Sequence, residues 1–108
     1  MEVVHVTQEL MKLYERMNKA ITEINRIAKH KAESEKNYRL ALSQQYLKLK
    51  FDGVSVTLIP DIAKGMLADL LFERDSSEAQ FTAVRESIST MQTQASVLQT
   101  VLKYHESL

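Results

Sequence analysis

Phe51-Asp52-Gly53-Val54-Ser55-Val56-Thr57-Leu58-Ile59-Pro60-Asp61-Ile62-Ala63-Lys64-Gly65 holds both glycines and the single proline of a 108-residue chain. On either side no residue of the helix-breaking kind appears, so the flanks read as two long elements. Asp52-Gly53 stops the first of them, because Gly53 can take the left-handed cap conformation. Val54 to Ile59 is β-branched and alternating, but too short and isolated for a sheet. It reads as an extended turn that tucks Val54, Val56 and Leu58 onto the helix ends. A short helix then starts at Thr57 or Ile59, with Pro60 in its first turn, Asp61 at its positive end and Gly65 closing it.

Working back from the turn, apolar residues recur at Leu10, Leu13/Tyr14, Met17, Ala20/Ile21, Ile24 and Ile27/Ala28. Alternation of three and four is the stripe of a packed helix. The stripe is interrupted over Lys29–Lys36 and resumes in phase at Tyr38, Ala41/Leu42 and Leu49, which argues for one helix over about 7–51. Thr7 is its expected N-cap, with Val6 and Met11 spaced as a hydrophobic staple. Working forward, a helix over about 66–106 carries Leu67, Leu70/Leu71, then Phe81, Val84, Ile88, Met91, Ala95, Leu98, Leu102 and His105. Asp75-Ser76-Ser77-Glu78 has capping-box spacing and is the one place where that helix would restart.

Two long helices joined by a compact turn over 52–65 make an all-α antiparallel hairpin, a single domain spanning 1–108. The expected register sets Leu49 near Leu67, Leu42 near Arg74, Tyr38 near Glu78, Ile24 near Gln92 and Leu10 near Glu106, within a turn. Each helix carries an apolar stripe wider than one partner covers. The expectation is therefore a homodimer or higher oligomer, forming a four-helix bundle or a longer coiled assembly. The rival is a monomer whose turn folds back over the excess.

Net charge is zero, yet residues 1–50 carry ten Lys/Arg against six Glu, and residues 51–108 four against eight Asp/Glu. That asymmetry suits halves lying against each other and does not resemble a strongly basic nucleic-acid binder. Cysteine is absent, which removes disulfides, thiol nucleophiles and Cys-based metal sites. The first residues lack the basic and apolar regions of a signal peptide, and no apolar run approaches the ~18 residues of a membrane span. A cytoplasmic protein with no membrane partner is expected.

No phosphate loop, nucleophile elbow or His-Glu-x-x-His occurs, so neither enzymatic activity nor a cofactor is expected. Glu2-Val3-Val4-His5 has a di-iron-like spacing but no second copy. His30 is expected to face about Glu86, and His105 to lie far from it; neither has a second ligand nearby.

Three constellations remain. The turn, with Phe51, Val54, Val56 and Leu58, either caps the bundle end or offers an apolar docking patch. A polar belt joins Glu35, Tyr38 and Arg39 to Arg74, Asp75 and Glu78. It reads as a register lock through Glu35–Arg74 or Arg39–Asp75/Glu78, or as a grip on a phosphate-bearing ligand such as a nucleotide at a dimer interface. The basic stripe Lys12, Arg16, Lys19, Arg26 and Lys29, interleaved with Glu9, Glu15 and Glu23, reads as a solvated face, or as a nucleic-acid contact.

The runs Glu35–Leu42 and Gly53–Gly65, then Phe72-Glu73-Arg74-Asp75 and a following Glu-Ala-Gln-Phe segment, resemble a group of small helical proteins. These are encoded in the early regions of phages and prophages of Gram-positive bacteria. The resemblance spans roughly residues 30–105. It implies work inside an infected or lysogenic bacterial cell, near genes for replication, recombination or host take-over. Most members are uncharacterised, so it implies no active site. In length and hairpin shape the chain is also similar to small secreted helical hairpins with a Trp-x-Gly turn. It has no Trp, and its own turn reads Phe51-Asp52-Gly53. Together these readings lead to a non-enzymatic module that binds a host or phage protein and modulates or inhibits it.

Overall fold

The computed structural model describes residues 2–107. Three helices follow one another: α1 (Val3–Phe51), α2 (Ile59–Met66) and α3 (Ala68–Ser107). No strand occurs among the described residues. α1 and α3 pack against each other as a hairpin, and each runs unbroken through its polar stretch, including Asp75–Glu78. The chain divides into a terminal unit, residues 1–26 with 82–108, and a turn unit, residues 27–81.

In the terminal unit the core is Leu10 and Leu13 of α1 against Met91 and Ala95 of α3. Half-buried Met17, Ala20, Ile88, Leu98 and Leu102 flank it. α1 begins four residues earlier than expected, at Val3 rather than Thr7. Thr7 does not cap the helix; its hydroxyl donates back to the Val3 carbonyl, 2.9 Å away, from inside it. Val6 is fully buried, and helical backbone at its position brings it to the side of α1 that carries Leu10 and Leu13.

In the turn unit the core is Leu49, Ile59 and Ala63, with Leu42, Tyr46 and Val54 packed on it. α1 closes in a Schellman motif. Val54 N–H donates to the Leu49 carbonyl at 3.0 Å and Gly53 N–H to the Lys50 carbonyl at 3.2 Å, with Gly53 at φ 83°. Val54 packs on the apolar cluster that holds Leu49, as the residue after such a cap commonly does. The segment after Val54 is not extended. The Ser55 carbonyl accepts from Leu58 N–H at 2.9 Å and from Ile59 N–H at 3.2 Å, so the chain already curls into α2. Two further expectations fail here. Gly65 does not close α2, which runs on to Met66. Of the three apolar residues expected to tuck inward only Val54 does, while Val56 and Leu58 face solvent. One tight turn cannot aim all three inward: Ser55 is spent folding the backbone, and Ile59 and Ala63 of α2 take the available core.

A single non-helical residue, Leu67 (φ −108°, ψ 24°), separates α2 from α3. The helix register lies about one turn from the expected one. Arg74, not Glu78, meets Tyr38, and Leu10, expected near Glu106, belongs to the cluster that Leu98 and Leu102 flank. Two stacking contacts seven residues apart on each helix demand this offset: Lys31 Nζ 5.0 Å above the Phe81 ring, and the Arg74 guanidinium 4.6 Å above the Tyr38 ring.

The two glycines should respond oppositely to a methyl group. Gly53→Ala places a side chain in the left-handed region and should cost about 1 kcal/mol. Gly65 sits inside α2 without positive φ and with open space at its Cβ position. Gly65→Ala should therefore stabilise by roughly 0.5–1 kcal/mol. Urea midpoints moving in the same direction for both variants would contradict the assigned turn.

Candidate functional site

The tip of the turn unit carries the most exposed apolar side chains. The last turns of α1 point Leu40, Leu47 and Phe51 along one line, because steps of seven and four residues return to the same helix face. That line lies opposite the face bearing Tyr38, Leu42 and Leu49. Phe51 is 91% exposed, Leu47 68%, Val56 72% and Leu58 55%. Ile62 and Met66, one turn apart on α2, and Phe72 on α3 are exposed as well. Tyr46, Leu47, Lys50, Val56, Ile59 and Pro60 line a shallow groove of about 230 Å³. Its walls are apolar and one rim is a lysine. The apolar tip side chains are held out on hydrogen-bonded backbone, since Asp52, Gly53 and Val54 N–H groups all return to α1 carbonyls.

Of the four residues expected to form a docking patch, Phe51, Val56 and Leu58 are exposed, and Val54 belongs to the core. Leu47, Leu40 and Phe72 escaped the sequence reading. The seven-residue step from Leu40 to Leu47 was the available signal, masked by the core seam running through the same stretch.

The polar belt also lies in the turn unit. Glu35 reaches across to Arg74 (3.7 Å), while Arg39 turns back along its own helix to Glu35 at 2.6 Å. Arg74 holds Asp75 at 2.9 Å. That hydrogen bond, more than the nearby Glu35 and Tyr38, raises the guanidinium pKa further above its ordinary range. The expected Glu35–Arg74 lock is present, whereas Arg39 makes its ion pair within α1. Where each seam crosses the belt a serine takes the buried place. Ser34 donates to the Lys31 carbonyl at 3.0 Å and Ser77 to the Glu73 carbonyl at 2.7 Å. Small, internally satisfied side chains let charged neighbours flank the seam without a buried orphan.

A groove of about 510 Å³ opens beside the belt, lined by Lys31, Arg74, Phe81, Glu35 and Glu78 with Ala28 and Ala32. Two carboxylates face it, and both cations are engaged, Arg74 by acids and Lys31 over Phe81. Tyr38 is buried beneath Arg74. A phosphate entering there would meet like charge, so the belt reads as structural.

The basic stripe divides between the units, with Lys12, Arg16, Lys19 and Arg26 in the terminal unit and Lys29 in the turn unit. Lys12 lies 3.8 Å from Glu9. Arg26 is hydrogen-bonded to Glu23, whose carboxyl that bond holds below the ordinary carboxylate range. Lys12 and Arg16 border a groove of about 700 Å³ together with His5, Glu9, Thr93 and Val97. The interleaved acids make this a mixed-charge face. His30 meets Glu73 at 3.6 Å rather than Glu86. His5 lies inside α1, which begins at Val3. Among the described residues no group of three or more His, Asp or Glu could hold a metal ion. No helix among them is long and apolar enough to cross a membrane.

No family model, no curated protein and no solved structure matches the chain.

The cross-helix lock has a measurable size. A double-mutant cycle of Glu35→Gln with Arg74→Met should give a coupling of about 0.5–1 kcal/mol. It should shrink markedly in 1 M salt. A coupling indistinguishable from zero at low salt would remove the belt as a register device.

Proposed function

We propose that this chain is a non-catalytic helical adaptor that binds another protein through the tip of its turn unit. The observation that carries this reading is the fixed, outward aim of Phe51, Val56, Leu58 and Leu47 on backbone that is itself hydrogen-bonded and anchored by Leu49, Ile59 and Ala63. Monomeric proteins seldom hold several large apolar side chains together in water, and clusters of this kind usually mark contact surfaces. An apolar anchor entering the groove beside Lys50 would leave that ammonium at the rim, where an acidic neighbour on the partner could meet it. The resemblance to phage early-region proteins puts the partner among host or phage proteins in a bacterial cytoplasm, with the chain modulating or inhibiting it. The nucleic-acid and nucleotide readings draw less support, since the basic stripe carries its own acids and the belt groove faces two carboxylates.

The test is affinity capture from a Gram-positive bacterial lysate with three baits of full length. The unmodified chain and a Lys12→Glu/Arg16→Glu variant should retain the same protein. A Val56→Asp/Leu58→Asp variant with unchanged circular dichroism should lose it by at least about tenfold, the order expected when a charge replaces an interface anchor. Equal recovery by all three baits would overturn the proposal. Collapse of helicity in the tip variant would too, because it would make these side chains part of the core.

A further inference from the structure

The terminal unit holds a second apolar row that its own two helices leave uncovered. Val4, Thr7, Met11, Tyr14, Asn18 and Ile21 follow one another on α1 at steps of three and four, which is a heptad seam beside the one that faces α3. Val4 and Met11 are more than 60% exposed, and Tyr14 and Ile21 are exposed as well. None of the six positions is charged. Of the charged residues of this part of α1, Glu15 borders the row one turn after Met11, and the others from Glu9 to Arg26 lie further round the helix. Beside the seam stands a stretch of α3 with an unusual composition: from Ser87 through Leu102 there is no charged residue at all. Gln99 of that stretch donates to the Tyr14 hydroxyl, so the uncharged flank of α3, with Gln92 and Ser96, adjoins the α1 seam on one surface.

We propose that this surface pairs with a second copy of the chain, α1 against α1 in parallel about a two-fold axis, completing a four-helix bundle within the terminal units. Three observations select a second copy. A two-fold contact sets a surface against itself, and a face bearing net charge would meet like charge; this one carries none. Within the unit the core is two helices deep, with Leu10, Leu13, Met91 and Ala95 its buried members, and a three-row apolar stripe on α1 is the pattern of a helix inside a four-helix bundle. Asn18 occupies the heptad slot of Val4 and Met11. An Asn in that slot is tolerated when it meets the same Asn of a parallel partner, and is costly against an apolar residue. An antiparallel pairing centred on the seam would set it against Thr7 instead and deny it a second Asn.

The size is adequate for a reversible dimer. The seam from Val4 to Ile21 is roughly 26 Å long at 1.5 Å per residue. Two helices about 10 Å wide over that length bury on the order of 1,000 Å² in total, near the lower bound of specific interfaces. The association should therefore depend on concentration. The proposal is independent of the tip, which lies in the other unit.

Sedimentation equilibrium of the full chain should show a mass rising from 12.4 kDa toward twice that value as concentration climbs through the micromolar range. Met11→Glu should keep its helicity and raise the dimer dissociation constant at least about tenfold, because it places like charges face to face. The chain has no cysteine, so single-Cys variants report geometry directly. Asn18→Cys should oxidise to a covalent dimer, and Lys19→Cys, on the charged face, should not. A mass of one chain at every concentration would overturn the proposal and leave the seam to a different protein. So would a dimer indifferent to Met11→Glu, or cross-linking of Lys19→Cys as readily as of Asn18→Cys.

Discussion

The contact of Ala63 and Ile59 with Leu49 is the constraint from which the turn unit follows. Ala63 is fully buried; a methyl side chain there allows α2 to lie close against the end of α1. Once α2 is seated, Leu67 alone bends the chain into α3, and the Schellman closure at Gly53 directs Val54 inward. Phe51, Val56 and Leu58 then have no inward place left. The exposed tip is thus a consequence of how the turn is closed, not of a loop lacking structure.

A second constraint operates along the helices. Both seams must cross a polar belt, and they do so with small residues, Ser34 and Ser77, that satisfy their own hydroxyls within their helices. Reciprocal stacking then ties the helices together, one cation and one ring from each, at the same seven-residue step. Exposed ion pairs alone stabilise little. Rings held under cations add direction, and direction is what sets register between two helices that could otherwise slide by a turn.

Much of this was legible in the residues. The absence of Gly and Pro outside 53–65 and the three–four spacing gave the two long helices and the short one between them. The Glu35–Arg74 pair followed from charge placed where a seam should be apolar. What escaped did so for physical reasons. Thr7 is a good cap by side-chain chemistry, but the helix extends to Val3 to place Val6. Gly65 suits a helix end, yet α2 tolerates it because Leu67 supplies the bend. Val54, Val56 and Leu58 look alike by hydropathy, and only the hydrogen bonds to the Ser55 carbonyl decide which of them the backbone turns outward. Tyr14 and Ile21 of the α1 seam were read as part of one wide stripe, and Met11 as the staple partner of Val6. Separating its rows requires knowing which side α3 occupies.

The central claim is that the apolar tip is a fixed surface built on an ordered turn. Amide hydrogen exchange tests it most directly. The account predicts that Val54, Leu58, Ile59 and Ile62, whose N–H groups donate to Leu49, Ser55 and Leu58 carbonyls, exchange far more slowly than unstructured amides, together with the last turns of α1. Exchange of these amides at unprotected rates, with α1 and α3 still protected, would contradict it, because the apolar side chains would then have no fixed arrangement to present.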